Sequence, residues 1–166
     1  MSDPMKFDVL EDAYNEDLIE NGAWHHFTGP DGEPMYLDAE KAKPCRVRIR
    51  SILSPTYEQH MDRLLENASN RARRLKGEQA KQKLLREEMK KQQPQAFASL
   101  VTAFDNVSKA QPGIITPDTK DLLHFALKPA SKDWVEQVTS FAANNENYGG
   151  ENAKAVEAGK DEPGAA

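Results

Sequence analysis

Residues 54–93 run SPTYEQHMDRLLENASNRARRLKGEQAKQKLLREEMKKQQ, and they read as helix almost throughout. Ser54 is a good N-cap, Pro55 suits the first helical position, where a missing N–H costs nothing, and Glu58 brings an acid into the first turn. Tyr57, Met61, Leu64, Leu65, Ala68, Ala72 and Leu75 recur at three and four residues and so share one stripe of a 3.6-residue helix. Such a stripe requires a partner surface. Gly77 costs about 1 kcal/mol relative to Ala inside a helix, which marks Lys76-Gly77 as a hinge. Beyond it Ala80, Leu84, Leu85 and Met89 form a thinner stripe among lysines and arginines, and Pro94 is expected to close the segment.

On the N-terminal side, Ala23–Thr28 and Pro34–Leu37 flank Gly29-Pro30-Asp31-Gly32, a turn cluster that predicts a hairpin. From Pro44 to Ile52 the chain alternates, with Cys45, Val47 and Ile49 on one face and Arg46, Arg48 and Arg50 on the other, which predicts a third strand. Three short strands are marginal alone and need a cover of helix. On the C-terminal side Phe97, Leu100, Val101, Phe104 and Val107 have helical spacing and predict an amphipathic helix ending before Pro112-Gly113. Thr116-Pro117 is read as N-cap and first residue of a helix bearing Leu122, Leu123, Phe125, Ala126 and Leu127. Ser131 caps a last helix that places Trp134, Val138, Phe141 and Ala142 on one face.

The expected fold is therefore α+β and mainly α. An acidic arm (1–20) leads into a small three-stranded antiparallel β element (21–53), then the long basic helix (54–93) and a C-terminal subdomain of three amphipathic helices (94–150). The tail (151–166) and residues 1–10 are expected to be disordered, being poor in apolar side chains and terminal.

Charge is laid out unevenly along these 166 residues. Residues 1–40 hold eleven acids and one lysine, 41–53 carry a formal +5, and 54–93 have ten basic against six acidic side chains. Acidic arm and basic middle are thus candidates to pair within the chain. A mean hydropathy of −0.77 and 30% charged residues limit the core and suggest that a partner completes the molecule. Cys45 is the single cysteine, which excludes an internal disulfide and fits a reducing cytosol. No apolar run reaches the length of a membrane span, so the chain is expected to be soluble and cytoplasmic.

Chemistry is sparse. His25 and His26 are neighbours on a strand and point to opposite faces, and His60, His124 and Cys45 stand singly, so no metal-ligand spacing exists. Asp31, Asp38 and Glu40 are read as solvated acids of a turn-rich arm, and there is no nucleophile elbow or phosphate loop. A non-enzymatic protein without a cofactor follows. Arg71, Arg73, Arg74 and Lys76, joined by Arg46, Arg48 and Arg50, offer phosphates a basic patch, which is the nucleic-acid alternative. Interleaved acids, an acidic whole and the lack of stacking aromatics argue against it. A self-associating coiled-coil scaffold built on the Met61–Leu75 stripe is a third reading, limited by a repeat that ends at Gly77.

Two passages carry a resemblance. One runs from Asn21-Gly22-Ala23-Trp24 through Gly29-Pro30-Asp31-Gly32-Glu33-Pro34-Met35-Tyr36-Leu37 into Pro44–Ser51; the other comprises Phe104–Val107, Ile115–Thr119 with Leu122-Leu123, and Trp134–Val138 with Phe141 and Asn147-Tyr148. Together they resemble the small tail assembly chaperones of long-tailed bacteriophages over most of residues 21–150. Phe104 stands where such proteins commonly carry a Trp, and the basic helix is longer than the resemblance needs. The resemblance implies a non-structural chaperone of the host bacterial cytoplasm that holds the helical tape measure protein while the tail tube assembles. It also implies a second form, extended by a ribosomal frameshift, that reaches the tail tube protein; Gly159-Lys160 is encodable by a slippery run. Phe97, Leu100, Phe104, Leu122, Leu123, Phe125, Trp134, Val138 and Phe141 are the residues expected to form either the core or the client surface.

Overall fold

The computed structural model describes residues 8–149. The expectations for residues 1–7, for the tail 151–166 and for Gly159-Lys160 lie outside the described residues. Asp8–Leu10 belong to a short helix, α1 (Asp8–Ala13), so the disorder expected through residue 10 does not extend that far.

The fold is α+β, one four-stranded antiparallel sheet with helices over one face. Its centre is β2 (Arg46–Ile49), the strand whose alternation is plain in the sequence. Cys45, Val47 and Ile49 are buried, and the arginines between them are half-exposed on the opposite face. β1 (Ala23–His26) pairs with β2 so that Trp24 lies opposite Arg48 and His25 opposite Val47. The expected hairpin forms only in part. Gly32 supports the turn at φ +79°, with its N–H on Gly29 O at 2.9 Å, but residues 34–37 make only isolated bridges, Thr28 to Pro34 and Tyr36 to Pro44. Prolines at both bridges lack the N–H that a continuous ladder requires.

The other two strands come from the half that was read as helical. α4 (Glu78–Leu100) runs through Pro94 rather than stopping there, and the chain then turns directly into β3 (Val101–Asp105). The helix expected over Phe97–Val107 is thus helix only to Leu100, and the boundary at residue 93 falls inside α4. Pro94 removes one helical hydrogen bond, a cost of up to about 3 kcal/mol. Burial of Ala96–Leu100 immediately beyond it offsets that loss. β3 satisfies the backbone of β2's free edge, with Phe104 opposite Val47 and Asp105 opposite Arg46. β4 (Ile114–Ile115) returns beside it after Asn106, which adopts φ +56° while its side chain accepts from Gly113 N–H at 2.9 Å and donates to Pro44 O at 3.2 Å.

α5 (Thr119–Ala126) begins two residues later than expected. Asp118, not Thr116, is its N-cap, accepting from Asp121 N–H at 2.8 Å. Ser131 does precede α6 (Lys132–Ala143), but its hydroxyl makes no capping bond to the helix. α4, α5 and α6 together cover the apolar face of the sheet, and Phe27, Val47, Ile49, Phe97, Leu100 and Val138 are its most enclosed apolar side chains.

Cys45 sits in this core with its thiol donating to Asn106 O at 3.1 Å, and burial, followed by the charge of Asp105, pushes its pKa up. A thiol reagent at neutral pH is therefore expected to label Cys45 only as fast as the protein unfolds. Labelling of the native chain at the rate of a small free thiol would contradict this placement.

Candidate functional site

The long basic segment is a helical hairpin. α3 (Pro55–Arg74) ends at Leu75, Gly77 turns the chain at φ +92°, and α4 returns along it, tied by Arg71 to Glu88 at 2.7 Å and by His60 to Gln95 at 3.3 Å. The hinge expected at Gly77 is thus a reversal of direction. The Met61–Leu75 stripe meets its partner within the chain, in α4.

The base of the hairpin is fastened to the sheet. Ser54 Oγ accepts from Tyr57 N–H at 3.4 Å and donates to Glu20 Oε2 at 2.8 Å, while Thr56 donates to the other carboxylate oxygen. Arg50 donates to Glu20 O at 2.8 Å and to Ser99 O at 3.0 Å, joining α2 (Glu16–Asn21) to the end of α4. This is where the acidic arm, in its described part, meets the basic middle: Glu20 with Arg50 at 3.9 Å. The Thr56 hydrogen bond foremost, then Ser54 and the Arg50 charge, hold the Glu20 carboxyl below its ordinary value against the opposing effect of burial. A carboxyl with a depressed folded pKa stabilises above its unfolded pKa and loses that contribution as pH falls through the folded one. Protection of the α3 N-terminal amides against hydrogen exchange should fall on acidification toward pH 4 in the wild type. In Glu20→Gln it should be low already at neutral pH; equal protection in both proteins would show that the carboxylate does not anchor the helix.

Away from its base the hairpin projects from the body. α3, about 30 Å long at 1.5 Å per residue, has no buried residue at all, and α4 buries only its last turn and a half. Two helices cannot enclose both of their stripes, and what remains is a groove of about 350 Å³ along the seam. Met61, Leu64, Leu65 and Ala68 line it from α3 and Leu85 and Met89 from α4, with Asp62, Glu88, Lys91, Gln92 and Gln95 around them. Leu65 is 69% exposed, Leu85 53% and Met89 71%. An apolar surface rimmed by polar groups is the form that many interaction surfaces take, which makes this seam the candidate site.

The residues expected to be core or client surface fall on the core side. Phe97, Leu100, Phe104, Leu122 and Val138 are buried, while Leu123, Phe125, Trp134 and Phe141 are partly buried and packed against them. Trp134 stacks on Phe27 with centroids 3.9 Å apart, and Phe125 lies 5.5 Å from Phe97. The aromatic helices are spent on their own sheet. Arg71, Arg73 and Arg74 in the last turn of α3 and Lys76 just beyond it are all exposed, at the hairpin's tip, with Arg71 turned to Glu88 of α4.

Two other regions hold polar side chains that are already engaged within the chain. In a 540 Å³ cleft beside α6, Gln137 accepts from Thr28 N–H at 3.1 Å, donates to Thr28 O at 2.8 Å and faces His25 at 3.1 Å. It clamps α6 to the end of β1, and burial keeps the His25 pKa down. On the helix-free face of the sheet Arg46 and Arg48 lie over Trp24, at 4.8 and 5.7 Å from its ring, but Arg46 is neutralised by Asp105 and Arg48 is held by Thr102 at 2.8 Å. No group of three metal-ligating side chains lies together among the described residues, and none of their helices is long and apolar enough to cross a membrane. No family model, curated protein or solved structure matches the chain.

Proposed function

We propose that this protein is a binding protein without catalytic activity that holds an elongated helical client through the groove of the α3–α4 hairpin. The observation that carries the reading is that groove: an apolar seam on a projecting element, exposed while the aromatic helices are occupied by the core. Helix-in-groove recognition draws its affinity from apolar burial, at roughly 25 cal/mol per Å², and uses anchors at i, i+4 and i+7. Met61, Leu65 and Ala68 have this spacing. The resemblance to tail assembly chaperones supplies the client, the tape measure protein in the host bacterial cytoplasm, and assigns contact with the tail tube to a frameshift-extended form.

The test is co-expression with the tape measure protein of the same phage, followed by pull-down at about 50 and 200 mM salt, a range over which phosphate-driven binding weakens steeply. The wild type should keep the client soluble and retain it at both salts. Leu65→Asp with Met89→Asp should lose it with an unchanged melting temperature, because both side chains are exposed. The basic tip favours a second reading, nucleic-acid binding; salt-sensitive capture of RNA with no retention of the client would establish that reading in place of the first.

A further inference from the structure

We infer that the groove accepts an acidic amphipathic helix, lying along the seam with its acidic end over the tip of the hairpin. The inference rests on the reading of the groove as a client site and specifies the client's chemistry and polarity.

Backbone requirements select a helix. The walls are two helices whose main-chain groups are already bonded internally, so the seam offers no row of free N–H and C=O groups to an extended peptide. A segment buried there must satisfy its own backbone, as a helix does. The apolar positions run parallel to the seam on both walls, Met61, Leu65 and Ala68 on one and Leu85 and Met89 on the other. Two methionines among them let the lining adjust to different apolar side chains.

Charge selects the acidic partner and its direction. Residues 71–86 carry seven basic side chains and one acid, Glu78, a formal +6, whereas residues 55–66 at the base carry Glu58, Asp62 and Glu66 against Arg63, a formal −2. Among the described residues Arg71 alone of the seven is in an ion pair, with Glu88. At a Debye length of about 8 Å only groups facing one another across the interface count. A helix with acids at one end is therefore attracted at the tip and, if its other end is neutral or basic, tolerated at the base. A second copy lying antiparallel would set against each tip, a formal +6, a base of only −2, and would leave most of the tip's cations without a partner. Nucleic acid would find cations at the tip but, in residues 71–93, no aromatic ring on which to stack a base.

The experiment uses the full chain and three fluorescent peptides of about 18 residues, stapled so that all three are helical to the same degree. All carry leucines at i, i+4 and i+7; one has four glutamates at one end, one has lysines in their place and one has serines. Anisotropy should rank them glutamate, serine, lysine, with about a tenfold gap or more between first and last at low salt. Leu65→Asp should abolish binding of all three. Arg73→Glu with Arg74→Glu and Lys81→Glu brings the formal charge of residues 71–86 from +6 to 0 and should collapse the ranking, with circular dichroism unchanged. A photo-crosslinker at the acidic end should mark residues 71–86 and not 55–62. Equal affinity for the three peptides, still abolished by Leu65→Asp, would overturn the acidic partner and leave apolar helix docking in place. Binding of none, or binding indifferent to Leu65→Asp, would overturn both. Sedimentation showing a dimer that Leu65→Asp dissolves and that excludes the peptides would make a second copy the occupant and overturn the inference. Capture of a single-stranded oligonucleotide in preference to the glutamate peptide would do the same in favour of nucleic acid.

Discussion

Phe27→Ala is expected to destabilise the protein by about 3–5 kcal/mol, the usual cost of emptying a large aromatic site in a core. Phe27 is fully buried, stacks against Trp134 at 3.9 Å, meets His25 edge-on at 5.9 Å and lies 6.4 Å from Phe104. It thus joins the end of β1, the middle of the sheet and α6 in one contact set. Urea unfolding followed by circular dichroism measures the loss, and a change below about 1 kcal/mol would mean that the ring is not enclosed. Trp134→Ala should cost less, since Trp134 keeps part of its surface in solvent. The double variant should show a coupling of about 0.5–1.5 kcal/mol, the range measured for aromatic pairs.

The second large effect is expected at Tyr148. Its ring is buried against Phe141 with centroids 5.9 Å apart, its hydroxyl donates to Ile49 O at 3.0 Å and its carbonyl accepts from Asn15 N–H at 2.8 Å. One residue therefore ties the C-terminal end of the described chain to the central strand and to the start of α2. Burial pushes its phenol pKa well up, so the hydroxyl remains a donor throughout the neutral and mildly alkaline range. Tyr148→Ala should cost about 3–5 kcal/mol. Tyr148→Phe should cost about 0.5–1.5 kcal/mol, the net contribution of one intramolecular hydrogen bond. Equal stability of the two variants would show that the ring's enclosure contributes little.

These two residues differ in how far the sequence exposes them. Phe27 lies in Ala23–Thr28, which the turn cluster at residues 29–32 marks as a hairpin arm, so its extended conformation is legible locally although its burial is not. Tyr148 stands among asparagines and glycines beyond the last helix, where no periodicity assigns its side chain to a face. Its importance comes from Ile49, 99 residues away. Similarly, Phe104 has the spacing of a helical face with Phe97, Leu100 and Val101, and its neighbours do not say otherwise. The open edge of β2 draws this segment into the sheet, because a backbone left unpaired there costs more than a helix of ordinary propensity recovers.

The candidate site divides in the same manner. Basic residues at 71–76, a break at Gly77 and an apolar stripe from Met61 to Leu75 are all local features, and each is found where its pattern puts it. Which apolar surface stays in solvent is a different matter. By apolar content the aromatic helices of the C-terminal half are the natural candidates for a client face, yet Phe97, Phe104 and Val138 are enclosed while Leu65, Leu85 and Met89 are open.

Taken alone, the sequence determined the elements whose signals lie within a few residues: the alternating strand β2, the Ser54-Pro55 start of α3, the break at Gly77 and the uneven charge. Tertiary structure decided whether Val101–Asp105 becomes helix or strand, that α4 passes through Pro94, and that the seam of the hairpin is left open. Caps, turns and periodicity act through neighbouring backbone groups, so they are legible one element at a time. Burial depends on which of several apolar faces obtains a limited partner surface. Here α4, α5 and α6 take the sheet's single apolar face, and α3, which beyond its first turn packs against α4, keeps part of its stripe in water.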